Sequence, residues 1–246
     1  MPIEQVRDWL RMTGNAVVLT GAGISTDSGI QDFRGPNGLW TKNPEAERAS
    51  QIDNYLRDPE LRRSAWRRRL DNTFVPEPNA AHVAVAELQR AGSVAWVVTQ
   101  NVDGLHQKAG SPPETVLELH GTSTKTRCLR CGDERPMEDT VARVGAGEED
   151  PPCLVCGGIL KAATISFGQQ LDPDVIDRAA AVSSATPLLI VVGSTLGVYP
   201  AAGLVPLAVR NGAKLVIVNN QETPFDDLAD VVVRDPIGEA IPALVN

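Results

Sequence analysis

Short apolar runs alternate with amphipathic stretches along most of the chain. Aliphatic and β-branched residues fill five runs, at residues 16–20, 94–99, 188–192, 215–219 and 231–233. Each run has the length and composition typical of a buried parallel strand. Helical periodicity precedes the first run, in residues 1–12, and lies between several of the others, most clearly in residues 80–91, which Asn79 can cap and Gly92 can end. This alternation predicts an α/β fold built on a doubly wound parallel sheet.

Two stretches interrupt this rhythm. Residues 35–79 are polar and arginine-rich and show no clear strand, and residues 122–160 contain four cysteines. We expect a helical insertion and a zinc-binding insertion that together form a small lobe. The remaining segments, 1–34, 80–121 and 161–246, would then form a Rossmann-like nucleotide-binding domain. The cleft between the lobes is the expected ligand site, because such sheets bind ligands beyond the carboxyl ends of their strands.

The chain's four cysteines form two C-x-x-C pairs, each followed by glycine, which is the spacing of zinc knuckles. Two disulfides in a secreted protein are one alternative, and a redox-active C-x-x-C is another. A redox motif gives no reason for the second pair. We therefore expect one structural zinc in a zinc ribbon, bound by Cys128, Cys131, Cys153 and Cys156.

Composition narrows the classes of function. The chain has 246 residues, 42% of them hydrophobic, which is enough for a full core. Its net charge of −8 argues against a nucleic-acid binder that uses its whole surface. The apolar runs are far shorter than a membrane span and no signal core precedes them, so we expect a cytoplasmic protein without a membrane partner. One basic cluster is interpreted as a solvated helix face: Arg62, Arg63, Arg67, Arg68 and Arg69.

A glycine-rich loop follows the first apolar run. Gly21, Ala22 and Gly23 come directly after it, and glycines in this place let the backbone approach a pyrophosphate closely. On its own this signal is weak. The dehydrogenase fingerprint also needs a glycine at the position of Thr26 and an acidic residue about twenty positions further on, and neither is convincing here.

Polar residues also follow the second apolar run, in the sequence Thr99-Gln100-Asn101-Val102-Asp103-Gly104-Leu105-His106. Asn101 and Asp103 project from the carboxyl end of that strand, where a ligand site is expected. The alternative is an Asx-turn that caps the next helix.

The chain has three histidines. We interpret His82, in the first turn of a helix, and His106, beneath the expected site, as structural. His120 lies in the sequence Glu118-Leu119-His120-Gly121, at the junction with the cysteine-containing insertion. That junction places it at the mouth of the expected cleft.

These motifs and the cysteine spacing together resemble the sirtuins, the NAD-dependent protein-lysine deacylases, from about Val17 to Val233. The resemblance implies removal of acetyl or another short acyl group from protein lysines, giving nicotinamide, 2′-O-acyl-ADP-ribose and free lysine. His120 matches the family's general base, a role that suits imidazole because its pKa lies near working pH. Asn101 and Asp103 match the residues that hold the nicotinamide amide and the adjacent ribose. The implied partners are acylated-lysine proteins or peptides.

The resemblance also implies a set of NAD contacts: Gly21, Ala22, Gly23, Ser25, Ile30, Asp32, Phe33, Arg34, Gln100, Asn101, Asp103, Gly193, Ser194, Thr195, Asn219 and Ile237. The implied peptide contacts are Phe167, Gly168, Val198 and Tyr199, and the implied acyl-selecting positions are Trp66 and Arg69. The chain departs from the family's usual proline at Gln31 and from its usual glutamate at Gln169. Members that remove succinyl groups have a tyrosine where this chain has Trp66, so we expect acetyl to be preferred over succinyl.

Two other functions stay open on the same residues. A mono-ADP-ribosyltransferase would share the ribose-activation step and differ only in the acceptor. A non-catalytic module could sense NAD or ADP-ribose and use the zinc insertion to hold a partner. Intact Asn101, Asp103 and His120 argue against the second, because a sensor does not need a base.

Overall fold

The computed structural model describes residues 2–32, 38–42, 48 and 50–245. Within these residues nine strands are numbered in chain order: β1 (Ala16–Thr20), β2 (Val94–Thr99), β3 (Val116–Glu118), β4 (Gly121–Cys128), β5 (Glu134–Pro136), β6 (Leu160–Thr164), β7 (Leu188–Val192), β8 (Lys214–Val218) and β9 (Val231–Val233). The α-helices of the same residues are α1 (Pro2–Thr13), α2 (Leu39–Lys42), α3 (Ile52–Arg57), α4 (Pro59–Asp71), α5 (Ala80–Arg90), α6 (Leu105–Lys108), α7 (Met137–Gly145), α8 (Pro173–Ala185), α9 (Leu204–Arg210) and α10 (Ile237–Ala240).

The large sheet has six parallel strands in the order β3-β2-β1-β7-β8-β9. β1 is central, with Val18 beside Val97 of β2 and Ile190 of β7. The chain builds outward from β1 to β3 and then outward from β7 to β9, so the strand order reverses between β1 and β7. This is the predicted doubly wound topology, and the crevice at such a reversal is where these sheets bind ligands.

Helices cover both faces of the large sheet. Successive side chains of a strand point to opposite faces. Val18 packs in a cluster with Leu10 of α1, whereas Val17 and Leu19 pack in a second cluster with Val205 of α9. Every residue of β1 is buried. Burial on both faces explains why β1 is a continuous apolar run rather than an alternating one.

A second sheet is antiparallel, with the strand order β5-β4-β6. Thr126 of β4 pairs with Arg135 of β5 on one side and with Ala162 of β6 on the other. Trp66 of α4 lies in the small core beside this sheet, where it packs with Leu160. The division of the chain into a sheet domain and two insertions that form one small lobe stays a prediction.

Four of the five predicted strands have the observed bounds, and β8 lies one residue earlier than predicted. Asn219 therefore follows β8 instead of ending it. The helix predicted over 80–91 ends at Arg90, and Asn79 caps it as expected. The short strand β3 and the second sheet were not predicted, because neither contains a sustained apolar run. Among the described helices, the structure contains none with the length and apolar character of a membrane span.

Candidate active site

A cavity of about 1320 Å³ opens beyond the carboxyl ends of β1, β2, β7 and β8. One side, which we call the sheet wall, consists of lining residues that follow these four strands, together with His120, which follows β3. The other side, the outer wall, is formed by α3, α4 and β6. Most residues predicted to contact NAD or peptide line this cavity: Gly21, Ala22, Gly23, Ser25, Ile30, Asp32, Gln100, Asn101, Asp103, His120, Phe167, Gly168, Gly193, Ser194, Thr195, Val198, Tyr199 and Asn219.

The glycine-rich loop after β1 touches the loop after β7. Gly23 N donates to Gly193 O at 2.8 Å, and Gly21 N donates to Val192 O at 3.0 Å. A Cβ on Gly23 would lie 2.7 Å from the Cα of Gly193, closer than such atoms approach in proteins. Glycine is therefore required by close backbone approach, and the two loops form one continuous rim of backbone groups.

Ser25 is the centre of a buried polar network. Its hydroxyl donates to Asp103 Oδ2 at 2.8 Å and accepts from Asn101 Nδ2 at 3.1 Å. Asp103 Oδ1 accepts Leu105 N at 3.0 Å, so this carboxylate also forms the Asx-turn considered as the alternative. The turn and a position in the cavity are thus compatible. Asn101 is only 8% exposed, yet it lines the cavity.

The other two histidines lie next to this network, on the side away from the cavity. His82 Nε2 lies 3.4 Å from Ser25 Oγ, and its Nδ1 accepts Asn79 N at 3.4 Å, which completes a capping box on α5. His106 is buried, with its Nε2 3.0 Å from Thr20 Oγ1, and burial lowers its pKa to about 3. Both histidines are buried, and their structural role stays a prediction.

His120 lies between β3 and β4 and faces the cavity. Its Nδ1 is 2.8 Å from Gln100 O, and a carbonyl can only accept, so Nδ1 carries a proton and Nε2 is left to accept one. Burial lowers the pKa of His120 below its usual 6.5, and the hydrogen bond to the Gln100 carbonyl partly offsets that shift. The imidazole is therefore neutral at physiological pH.

Hydrogen bonds also fix the loops that follow β2, β7 and β8. Gln100 Nε2 donates to Ser194 Oγ at 2.9 Å and so joins the loops after β2 and β7. Asn219 donates from Nδ2 to Gln221 O at 2.9 Å, and its backbone carbonyl accepts a hydrogen bond from Arg234 Nη1 at 2.8 Å. Gln221 lines the cavity and was not predicted; a polar residue soon after a strand end is the only signal that the sequence offers.

The segment after β6 borders the cavity and pairs with the chain before α3. Phe167 N donates to Ser50 O at 2.9 Å, and Ile52 N donates to Phe167 O at 3.0 Å. Gln169, which stands where the family usually has glutamate, accepts Ser166 N through Oε1 at 2.8 Å. Its side chain therefore stabilises the local backbone of this segment.

Four predicted site residues are not part of the described lining. Trp66 is 1% exposed in the core beside the cysteines, and Ile237 packs half-buried against the core at the start of α10. Phe33 and Arg34 lie outside the described residues. Arg69 does line the cavity, with its guanidinium 5.8 Å from the centre of the Trp66 ring, and burial lowers its pKa.

Sequence reasoning missed two buried polar residues of the outer wall. Tyr55 is buried, and its hydroxyl donates to Leu160 O at 2.9 Å. Lys161 is 6% exposed and donates from Nζ to Ala162 O at 3.3 Å, to Thr164 O at 2.5 Å and to Thr164 Oγ1 at 3.2 Å. Burial and the nearby charge of Arg69 lower the pKa of Lys161 to about 8. A lysine inside an apolar strand was the available signal.

The four cysteines come together at one point. Their sulfur atoms all lie within 4.8 Å of one another, with Cys128 and Cys156 at 3.5 Å and Cys131 and Cys153 at 3.8 Å. A disulfide needs about 2.05 Å, whereas four thiolates about 2.3 Å from a tetrahedral zinc lie roughly 3.8 Å apart. The donor set and its geometry therefore fit one structural zinc.

The expectation of a solvated arginine face is wrong for part of α4. Arg62 is 8% exposed; its Nε donates to Asp150 at 2.9 Å and its Nη1 to Tyr55 O at 3.0 Å. Arg67 pairs with Glu149 at 2.6 Å on the surface. Glu149 and Asp150 belong to the cysteine-containing segment, far away in the sequence, and their carboxylates neutralise these arginines.

Residues 21–200 match the model of the Sir2 family. The NAD-dependent protein deacetylase 2 of Streptomyces coelicolor is 56% identical over 238 residues, which are 96% of this chain and 99% of that protein. A solved Sir2 variant with a deacetylated p53 peptide and 3′-O-acetyl ADP ribose has a TM-score of 0.88 and 39% identity, covering 99% of this chain and 97% of that one. A solved Sir2 with a p53 peptide and NAD+ has a TM-score of 0.86 and 39% identity, covering 98% and 96%. The chain belongs to the Sir2 family.

Proposed function

We propose that this chain is an NAD-dependent protein deacetylase. It removes acetyl or another short acyl group from protein lysines and gives nicotinamide, 2′-O-acyl-ADP-ribose and free lysine. The observation that carries the proposal is the meeting of Asn101, Asp103 and His120 in one cavity with the glycine-rich loop. The similar relative is named a deacetylase, and the similar structures hold peptide with NAD+ or an acetylated ADP-ribose.

NAD lies along the sheet wall in this proposal. The cavity exceeds the roughly 300–1,000 Å³ of an ordinary small-ligand site, which leaves room for a dinucleotide and a lysine side chain. The rim at Gly21, Gly23 and Gly193 approaches the pyrophosphate. Asn101 and Asp103 hold the nicotinamide amide and its ribose, and Asn219 holds the adenosine ribose.

His120 supplies the base. The acyl oxygen of the lysine displaces nicotinamide from the ribose, so the chain needs no nucleophile of its own. A ribose hydroxyl must lose a proton afterwards, and Nε2 of His120 accepts it because Nδ1 already carries the proton donated to Gln100 O. Its lowered pKa keeps the imidazole neutral and ready to accept.

The peptide lies between Phe167-Gly168 and Val198-Tyr199 as an extended strand. Zinc, when bound by the four cysteines, supplies stability to the surrounding lobe and no chemistry, because four thiolates fill its coordination. The expectation of a cytoplasmic location rests on the sequence alone.

Acetyl is the preferred acyl group in this proposal. The hydroxyl of Tyr55 already donates to Leu160 O, and all three protons of Lys161 are donated to backbone and threonine oxygens. Of the two predicted acyl-selecting positions, Trp66 is buried in the small core and Arg69 lines the cavity, so Arg69 is the one placed to bind a distal carboxylate. We expect kcat/KM to be higher for acetyl-lysine than for succinyl-lysine in one peptide. A succinyl preference that disappears in Arg69→Met would contradict this and make Arg69 the selecting residue.

Incubation with an acetylated peptide and NAD tests the function, with products read by mass spectrometry. We expect free nicotinamide, deacetylated peptide and O-acetyl-ADP-ribose in equal amounts, and none of these with Asn101→Ala. Nicotinamide together with ADP-ribose bound to peptide would indicate the transferase. Binding of NAD without turnover would indicate the sensor.

A further inference from the structure

β6 is an edge strand of the small sheet, and its free edge faces the cavity. Carbonyls two residues apart on a strand point to the same edge. Leu129 N donates to Ile159 O, so the odd-numbered carbonyls face β4 and those of Leu160, Ala162 and Thr164 face away from it. A buried strand edge without a neighbouring strand needs donors from elsewhere.

Two side chains supply these donors. The hydroxyl of Tyr55 donates to Leu160 O at 2.9 Å. Lys161 folds back along its own strand, and its ammonium reaches Ala162 O, Thr164 O and Thr164 Oγ1. A lysine that is 6% exposed thus satisfies three acceptors on the outer edge of β6.

The opposite edge of the same stretch, which faces β4, binds the main chain of His120. Ile165 N donates to His120 O at 2.8 Å, and Gly121 pairs with Thr164. Gly121 has a φ of 71°, and a Cβ there would lie 2.1 Å from Ala163 O, so the chain after His120 rests directly on β6. Movement of the Thr164–Ile165 segment would therefore move the imidazole.

We propose that Lys161 is a positioning residue for His120. This inference rests on the proposed function, since it concerns the base of that reaction. Without the ammonium, one buried and two partly buried acceptors lose this donor, and the end of β6 relaxes toward the water of the cavity. The bond from Ile165 N to His120 O then loosens, and the imidazole leaves its place against Gln100 O.

The first test compares two steps of the reaction in Lys161→Met. Exchange of labelled nicotinamide into NAD reports the step before His120 acts, and release of deacetylated peptide reports the step that needs it. We expect exchange at saturating peptide to stay within about twofold and deacetylation to fall by about tenfold, because small displacements of a reacting group reduce rate steeply. Lys125→Met, which removes a half-exposed lysine of β4 that pairs with Glu134, is the matched control and should change neither. Equal losses in both steps, or none in either, would overturn the proposal.

The second test does not depend on activity. In the wild type, ¹⁵N chemical shifts of the His120 ring should report a proton on Nδ1, as the bond to Gln100 O requires. We expect a share of the Nε2-protonated form in Lys161→Met and recovery toward wild type in Lys161→Arg, which keeps donors at the edge. His120→Ala identifies the resonances. An unchanged ring in a folded Lys161→Met would refute positioning even if the wild type proved to have no deacetylase activity, and a changed ring would support it in the same case.

Discussion

The sheet wall of the cavity is held mainly by hydrogen bonds among polar side chains and backbone groups and by close backbone contacts, whereas the outer wall is held mainly by ion pairs. On the sheet wall, Ser25, Asn101 and Gly23 are fixed by bonds among residues that directly follow strands. On the outer wall, α4 is held through Arg62 and Asp150, which come from separate segments 88 residues apart in the sequence. The two walls therefore differ in what a mutation should cost.

The difference between the walls separates residues that act in the reaction from residues that stabilise the fold. Sheet-wall side chains such as that of His120 project into the cavity from a sheet whose own core is complete without them, so their loss should reduce rate far more than stability. The charges of the outer wall connect helices to the cysteine-containing segment, so their loss should reduce stability first. Lys161 is the exception, since it belongs to the outer wall but acts on the position of His120.

The largest expected effect is on the sheet wall. His120→Ala should reduce deacetylation by ~10²–10⁴-fold, the usual contribution of a general base. Its melting temperature and its affinity for NAD should stay near wild type, because within the described part of the chain the imidazole is recorded in one hydrogen bond, to Gln100 O, and it lines the cavity. A calorimetric melt and a steady-state assay together check this. A large drop in melting temperature would break the distinction between the walls.

Cys153→Ser should give the opposite result. One thiolate fewer weakens zinc binding, and the small core that packs against Cys153 and Trp66 loses its support. We expect lower zinc content by metal analysis and a lower melting temperature, with kcat at low temperature reduced far less than in His120→Ala. A fully folded, fully active variant without metal would contradict a structural zinc.

Sequence and structure agree best on the sheet wall. The position of Asn101 follows from local pattern, because an apolar run fixes where a strand ends and the fold fixes which end carries the site. The outer wall depends on pairing between distant segments. Arg62 is in an arginine-rich stretch that gives no sign of which arginine meets Asp150, and Lys161 is ordinary in isolation. Their roles depend on tertiary contacts, so neither spacing nor composition could predict them.

Arg62→Met should be clearly destabilising, and Arg67→Met should not. Arg62 is buried against Asp150 and two backbone carbonyls, so its removal leaves a poorly solvated carboxylate and costs about 3 kcal/mol of unfolding free energy. Arg67 and Glu149 are both more than half exposed, and such pairs contribute about 0.2–1 kcal/mol. Urea denaturation of the two variants measures the contrast. Equal effects would mean that burial does not decide the strength of the outer wall.

The smallest expected effect is the pH dependence of deacetylation, which tests the environment of His120 in the sheet wall without a mutation. Burial lowers the pKa of His120 below 6.5, and a base must be neutral to accept a proton. We therefore expect deacetylation to be constant near neutral pH and to fall with its midpoint below pH 6.5, as the imidazole becomes protonated.

The pKa values of His82 and His106 are also lowered by burial, so the unfolded chain binds more protons than the folded one below pH 6.5, and stability falls as the pH falls. Circular dichroism at each pH separates this loss from the loss of rate. If the rate of the folded protein fell with a midpoint above pH 6.5, the buried environment assigned to His120 would be wrong.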